Sequence, residues 1–120
     1  MDDRYPRQGE VYLVKALRFI GDTKKRPAIV VSVDIRNQYK NTVLVVPFTS
    51  NISGGESPTR PLISKGEGGL ECDSLAVCDN VSAIRKIYLD GDAYGRVSSR
   101  TLERIQRGIQ IAIGVWGEQL

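Results

Sequence analysis

Apolar residues along this chain come first in short, β-branched runs separated by polar, glycine-bearing stretches, and only the last quarter changes period. Gly9 to Leu17 is apolar on both faces near its middle and predicts a first strand. Gly21-Asp22 is the turn signal of the loop that follows, from Phe19 to Lys25. Pro27 to about Asp34, with Ile29, Val30 and Val31 at its centre, predicts a buried strand. Asp34 to Asn41 is polar and reads as a connection, and Thr42 to Thr49 is a third strand. Pro47 cannot donate to a ladder, so it is expected at that strand's end or on an edge. Ser50 to Arg60 reads as a long surface loop, Pro61 to Lys65 as a short edge strand, and Gly66 to Gly69 as a second loop. Ser74 to Ile84 alternates and predicts a long strand bent near Asp79-Asn80. Arg85 to Leu89 continues it or adds a short strand, and Asp90-Gly91-Asp92 reads as a turn.

From Ser98 or Ser99, either of which can cap a helix, to about Val115 the period becomes helical. Leu102, Ile105, Ile109, Ala112, Ile113 and Trp116 form one apolar stripe, opposite Arg100, Glu103, Arg104 and Arg107. Gly108 inside this helix costs ~1 kcal/mol relative to Ala, a cost that close packing would explain. Five or six strands followed by one helix predict a mainly β fold: a strongly bent antiparallel sheet or small barrel with a C-terminal α-helix packed on it. The whole chain, 1–120, reads as one domain.

Composition narrows the chemistry. No apolar run is long enough to span a membrane, and Met1-Asp2-Asp3-Arg4 opens without the apolar core of a signal peptide, so a cytoplasmic protein is expected. Cys72 and Cys78 are too far apart on one extended strand (~20 Å) to form a disulfide, and read as small buried hydrophobes. The chain has no histidine, which removes a His general base, a Ser-His-Asp triad and a His-ligated metal; no metal and no cofactor are expected. The net charge of +3 leans weakly towards an anionic partner.

The strongest candidate site is Lys24-Lys25-Arg26-Pro27, where three cations run straight into the apolar strand. Pro27 pushes Arg26 towards an extended conformation, so a permanently charged guanidinium stands at the mouth of a rigid strand. Its forked donors suit a phosphate or a carboxylate.

Read in order, Gly9-Glu10-Val11-Tyr12, Lys25-Arg26-Pro27-Ala28-Ile29-Val30-Val31-Ser32, Val46-Pro47-Phe48-Thr49-Ser50, Asp73-Ser74, Cys78-Asp79-Asn80-Val81 and the helix from Leu102 to Gly114 resemble the MazF/PemK (Kid) family of toxins from type II toxin–antitoxin systems. The resemblance covers about residues 7 to 115. It implies an SH3-like small barrel of the CcdB/MazF type, a homodimer, and sequence-specific, metal-independent cleavage of single-stranded mRNA. It also implies a cognate antitoxin that covers the same surface with an acidic, extended segment. Such cleavage uses the RNA's own 2′-OH as nucleophile and leaves 2′,3′-cyclic phosphate and 5′-OH ends, so DNA is not a substrate.

Carried over residue by residue, the resemblance implies that Arg26 stabilises the phosphorane and that the Thr49 hydroxyl bonds the scissile phosphate. Asp79 is implied as general base or as orienter of the arginine; as a base at neutral pH it would need partial burial. Ser50 and Asn80 are implied as RNA-binding residues, and Lys24, Lys25 and Arg85 are expected to bind RNA by supplying the positive charge that the departures from the family pattern remove. The chain departs from the family pattern at Val77 and Ser82, where members carry arginines, and at Asn80, which replaces a Gln and shortens its reach by one methylene. Two other readings stand beside this one. A CcdB-like inhibitor of DNA gyrase is suggested by the terminal Trp116-Gly117, and a non-catalytic nucleic-acid-binding barrel by the basic cluster with Tyr12, Phe19 and Phe48.

Overall fold

The computed structural model describes residues 4–15 and 25–115. Seven strands and two helices follow in the order β1 (Glu10–Val14), β2 (Arg26–Val30), α1 (Asp34–Tyr39), β3 (Thr42–Thr49), β4 (Leu62–Ile63), β5 (Ser74–Ala76), β6 (Ser82–Arg85), β7 (Leu89–Arg96) and α2 (Ser99–Ala112). Among the described residues neighbouring strands run antiparallel, in the order β4-β5-β3-β2-β1-β7, with β6 also on β3.

β3 organises the sheet. It spans the β-branched run from Thr42 to Thr49, and the first of these residues is also the first of the strand. One of its edges pairs with β2 through Ala28↔Pro47, Ile29↔Val46 and Val30↔Val45. Its other edge is shared. β6 takes Thr42 to Val45, and β5 takes Phe48 and Thr49. Between β5 and β6 the chain makes a 3-10 turn at Cys78–Asn80, which is the bend expected near Asp79-Asn80. Pro47 sits inside the strand, not at its end. Its carbonyl accepts from Val77 N–H at 2.9 Å, so its missing N–H faces that same side, where the neighbouring strand is itself interrupted.

β6, β3, β2, β1 and β7 form a continuous run whose outer strands are joined only by a 3-10 turn at Lys86–Tyr88. So short a link curls the sheet and keeps its two outer strands near each other, which gives the barrel shape. Two apolar clusters follow from strand alternation. Val14, Ala28, Val30, Val43 and Val45 form one, with Tyr12, Ile84 and Leu89 packed against it. Val11, Ile29, Val46, Phe48 and Ile63 join Ile105 of α2 in the other.

α2 is capped by Ser98, whose side chain accepts from Thr101 N–H. Its inner face is narrower than the stripe predicts: Thr101, Ile105 and Gly108 are buried, Leu102 and Ile109 half-buried, Ala112 and Ile113 exposed. Trp116 lies outside the described residues. A Cβ on Gly108 would lie 2.6 Å from Cys78 Sγ, so its lack of a side chain lets α2 close onto the 3-10 turn at 78–80.

Two short segments depart from the sequence reading. The polar connection after β2 holds α1, whose Asn37 is fully buried. Asn37 donates to Ser32 O (2.9 Å) and accepts from Ser32 Oγ (2.5 Å), while Ser32 Oγ accepts from Leu44 N–H (3.0 Å); satisfied polar contacts rather than an apolar pattern dock the helix. Asp90-Gly91-Asp92 is strand, not turn: β7 runs through it along the sheet margin, and its register on β1 slips between Val11 and Leu13. Cys72 is exposed and only Cys78 is buried; both are free thiols.

Candidate functional site

Arg26 is the first residue of β2 and pairs with Val14 of β1. Thr49 is the last residue of β3 and pairs with Leu75 of β5. Continuing the β2–β3 register two residues past Ala28↔Pro47 sets position 26 opposite position 49, so the two strands end together and present these side chains at one rim. There a cavity of about 320 Å³ opens, walled by Lys25 just before β2, Arg26 at its start, Ser50 after β3, and Glu71 and Cys72 from the segment before β5, with Phe48 and Pro27 as part of its apolar lining. A permanent cation beside hydroxyl donors over an apolar floor is suited to hold a phosphodiester.

Lys25 is committed to an ion pair. Its Nζ donates to Asp90 Oδ2 at 2.8 Å, and Lys15 Nζ lies 3.8 Å from Asp90 Oδ1. The hydrogen bond from Lys25, together with the two ammonium charges, holds the Asp90 carboxyl below its usual range. Asp90 is thus an anion that competes with any ligand for Lys25.

Asp79 and Asn80 lie elsewhere, on the 3-10 turn past the other end of β5. Thr49 is level with Leu75, four residues before Asp79, a separation on the order of 10 Å. Asp79 is exposed and its Oδ1 lies 3.6 Å from Arg60 Nε. Distance along β5, rather than burial, sets Asp79 apart from Arg26. The loop 50–61 links the two places: it leaves the cavity at Ser50 and returns past the turn, where Thr59 O accepts from Cys78 N–H at 3.0 Å. Burial, then the charge of Asp79, pushes the Cys78 thiol up to about 12.

Arg85 is farther still. It pairs with Thr42, at the opposite end of β3 from Thr49, roughly 23 Å away along the strand. Lys24 lies outside the described residues. The structure therefore brings Arg26, Thr49, Lys25 and Ser50 to one end of the sheet, and sets Asp79, Asn80 and Arg85 apart from them. Glu71, Tyr94 and Asp90 at or beside the cavity were not singled out from sequence. Nothing in their local pattern marks them, because each comes to this end of the sheet only through the fold.

A second, larger groove of about 810 Å³ runs between α2 and the sheet, with Val31, Leu44 and Val81 among its lining and Arg100, Arg104 and Arg107 along the helix. It contains none of the sequence-predicted residues.

Over residues 7–113 the chain matches the family described as PemK-like, MazF-like toxins of type II toxin–antitoxin systems. It is 26% identical over 111 residues to Endoribonuclease MazF of Staphylococcus saprophyticus, covering 91% of this chain and 92% of that one. It is 24% identical over 111 residues to Endoribonuclease EndoA of Bacillus subtilis, covering 91% and 95%. Its fold is similar to that of MazF from Deinococcus radiodurans (TM-score 0.76, 16% identity, 93% and 99% covered). It is also similar to a mycobacterial endoribonuclease solved with its cognate antitoxin (TM-score 0.75, 24% identity, 92% and 96% covered). A family match along nearly the whole chain, on an antiparallel barrel closed by a C-terminal helix, leads to one assignment: the chain belongs to the PemK-like, MazF-like toxins of type II toxin–antitoxin systems.

Proposed function

We propose that this toxin is a sequence-specific endoribonuclease that cleaves single-stranded mRNA without a metal, by attack of the 2′-OH on the adjacent phosphate. The observation that carries the proposal is the cavity at the joint end of β2 and β3, where Arg26 stands beside Lys25 and Ser50 in a chain whose relatives are named endoribonucleases. Arg26 brackets two phosphate oxygens and stabilises the phosphorane; the Thr49 hydroxyl bonds the same phosphate. Ser50 and Lys25 hold the neighbouring backbone. Asp79 and Asn80, joined to the cavity by the 50–61 loop, contact flanking nucleotides and with that loop set the sequence that is cut. Arg85 is reserved for the outlying RNA.

The working form is a cytoplasmic homodimer. Val43 to Phe48 cannot supply its interface, because β3 is paired on both edges and those residues, Leu44 apart, are buried within one chain. The C-terminal end of α2 supports it better: Ile113 and Val115, 67% and 56% exposed, follow the helix in a turn past the core. The cognate antitoxin lays an acidic, extended segment over the cations of the cavity. No helix among the described residues is long and apolar enough to cross a membrane. No observation favours the gyrase-inhibitor reading, and Trp116-Gly117 lie outside the described residues.

The test is digestion of a long mixed-sequence RNA in excess EDTA, with mapped ends. Discrete cuts bearing 5′-OH ends, lost in Arg26→Ala and Thr49→Ala, are expected. Intact RNA bound with salt-sensitive affinity would leave a binder, and the nuclease proposal would fall.

A further inference from the structure

The cavity contains one group that an anion-binding site should not hold. Among its lining residues Glu71 is the only carboxylate, and it shares the wall with Arg26 and Lys25. A negative charge there opposes binding of a phosphodiester unless it serves the reaction. Asp79, the carboxylate expected in that service, lies past the far end of β5.

Glu71 is also placed with some rigidity. Its Oε1 accepts from Tyr94 OH at 3.2 Å. The backbones carrying the two residues are pressed together by glycines. Gly69 has φ +80°, and a Cβ there would meet Tyr94 O at 2.6 Å; a Cβ on Gly95 would meet Gly68 C at 2.7 Å. Only backbone without side chains lets the 3-10 turn at Glu67–Gly69 lie flat on β7. Glu71 follows that contact by two residues and Tyr94 forms part of it, so carboxylate and phenol are aimed into the cavity by a common clamp. The hydrogen bond to the Glu71 carboxylate also raises Tyr94's phenol, as expected of a phenol that donates to an anion.

The geometry points to Glu71 as the general base of the cleavage, with Tyr94 as its positioning residue. This inference rests on the RNA-cleaving reading above. The Glu71 carboxylate takes the proton of the 2′-OH as the 2′-oxygen forms its bond to phosphorus. The bond from phosphorus to the 5′-oxygen breaks, and the 5′-oxygen takes a proton from water at the open mouth of the cavity. Glu71 returns its proton to solvent, and Arg26 keeps its charge throughout.

The experiment measures single-turnover cleavage at saturating RNA, as a function of pH, for the wild type, Glu71→Gln, Glu71→Asp, Tyr94→Phe and Asp79→Asn, with thermal unfolding of each. Glu71 is exposed, so Glu71→Gln should unfold with the wild type. It should lose roughly 10²–10⁴-fold in rate, keep or tighten RNA binding, and lose the acidic limb of the pH profile. Glu71→Asp should recover part of the rate, and Tyr94→Phe should lower rate without lowering affinity. On RNA carrying a bridging 5′-sulfur, whose leaving group needs no proton, Glu71→Gln should stay slow; rescue there would make Glu71 an acid and overturn the inference. So would a Glu71→Gln rate within threefold of the wild type, or an acidic limb removed by Asp79→Asn and not by Glu71→Gln. A wild type that cuts no RNA would overturn the nuclease proposal and this inference together, and the wild-type lane alone tells that failure from the other.

Discussion

Gly108→Ala should destabilise this protein, although alanine is the better helix former. The added Cβ would sit 2.6 Å from Cys78 Sγ and 3.1 Å from Cys78 Cβ. Carbon contacts settle near 3.5–4.0 Å, so the overlap is about 1 Å. Cys78 has little room to retreat. It is fully buried, its thiol donates to Ile105 O at 3.5 Å, and its N–H is held by Thr59 O at 3.0 Å. Overpacking a tight core costs ~1–3 kcal/mol, and Gly→Ala in a helix returns ~1 kcal/mol. With Cys78 pinned from both sides the upper part of the range applies, and the net loss should be about 1–2 kcal/mol. For a chain of this size that lowers Tm by about 4–8 °C. Urea unfolding at fixed protomer concentration measures it. The same substitution in a Cys78→Ala background should change sign, because the atom at 2.6 Å is gone and the helix gain of ~1 kcal/mol remains. The two changes should therefore couple by more than about 1 kcal/mol. Stabilisation by Gly108→Ala alone, or additivity within about 0.5 kcal/mol, would refute the packing argument. The contact matters beyond stability, since Cys78 shares its turn with Asp79 and Asn80.

Asp90→Asn should release Lys25 and Lys15 to the RNA, tightening binding at low salt and steepening its salt dependence by up to about one unit per cation recruited. A filter-binding salt titration reads this; an unchanged slope would mean that neither lysine faces the RNA. Since Lys25 holds the Asp90 carboxyl below its usual range, that pair's contribution to stability is complete above the ordinary aspartate value near 4 and fades only as pH falls through the lower folded value. Relative to the wild type, Asp90→Asn should show a slightly flatter pH dependence of unfolding in that acidic window. Thiol titration of the native protein at pH 8 should modify exposed Cys72 and spare Cys78, whose thiol is pushed up to about 12, and both should react in denaturant. Two fast thiols in the native state would contradict the buried placement of Cys78.

How much of this was legible along the chain depends on which contacts make each part. β3 was read with its bounds from Thr42 to Thr49, because a strand buried on both faces spells itself in consecutive β-branched residues. The start of α2 was equally plain, since Ser98 caps it locally. α1 was not: it depends on the Ser32–Asn37 contacts, which no period announces. Asp90-Gly91-Asp92 carries every mark of a turn, and becomes strand only because β1 pairs with it along a half-exposed margin. At the site, Arg26 stood out because it opens an apolar run, and Thr49 through the family resemblance. Glu71 did not, since a glycine-rich turn must first fold onto β7 before that carboxylate shares a cavity with an arginine made much earlier in the chain.

The pairing of β1 with β7 also sets a clock. Glu10 is matched with Arg96, and Val14 with Leu89, so the first strand waits for nearly the last. A ribosome adding ~5–20 residues per second leaves β1 without that neighbour for roughly 4–17 s, and contacts so distant along the chain are also slow to form. Tyr94 arrives with the same late strand. Prematurely terminated fragments therefore lack the closed barrel and the completed cavity. The cell meets an active toxin only after translation has run almost to its end, a delay within which a partner already present has time to bind.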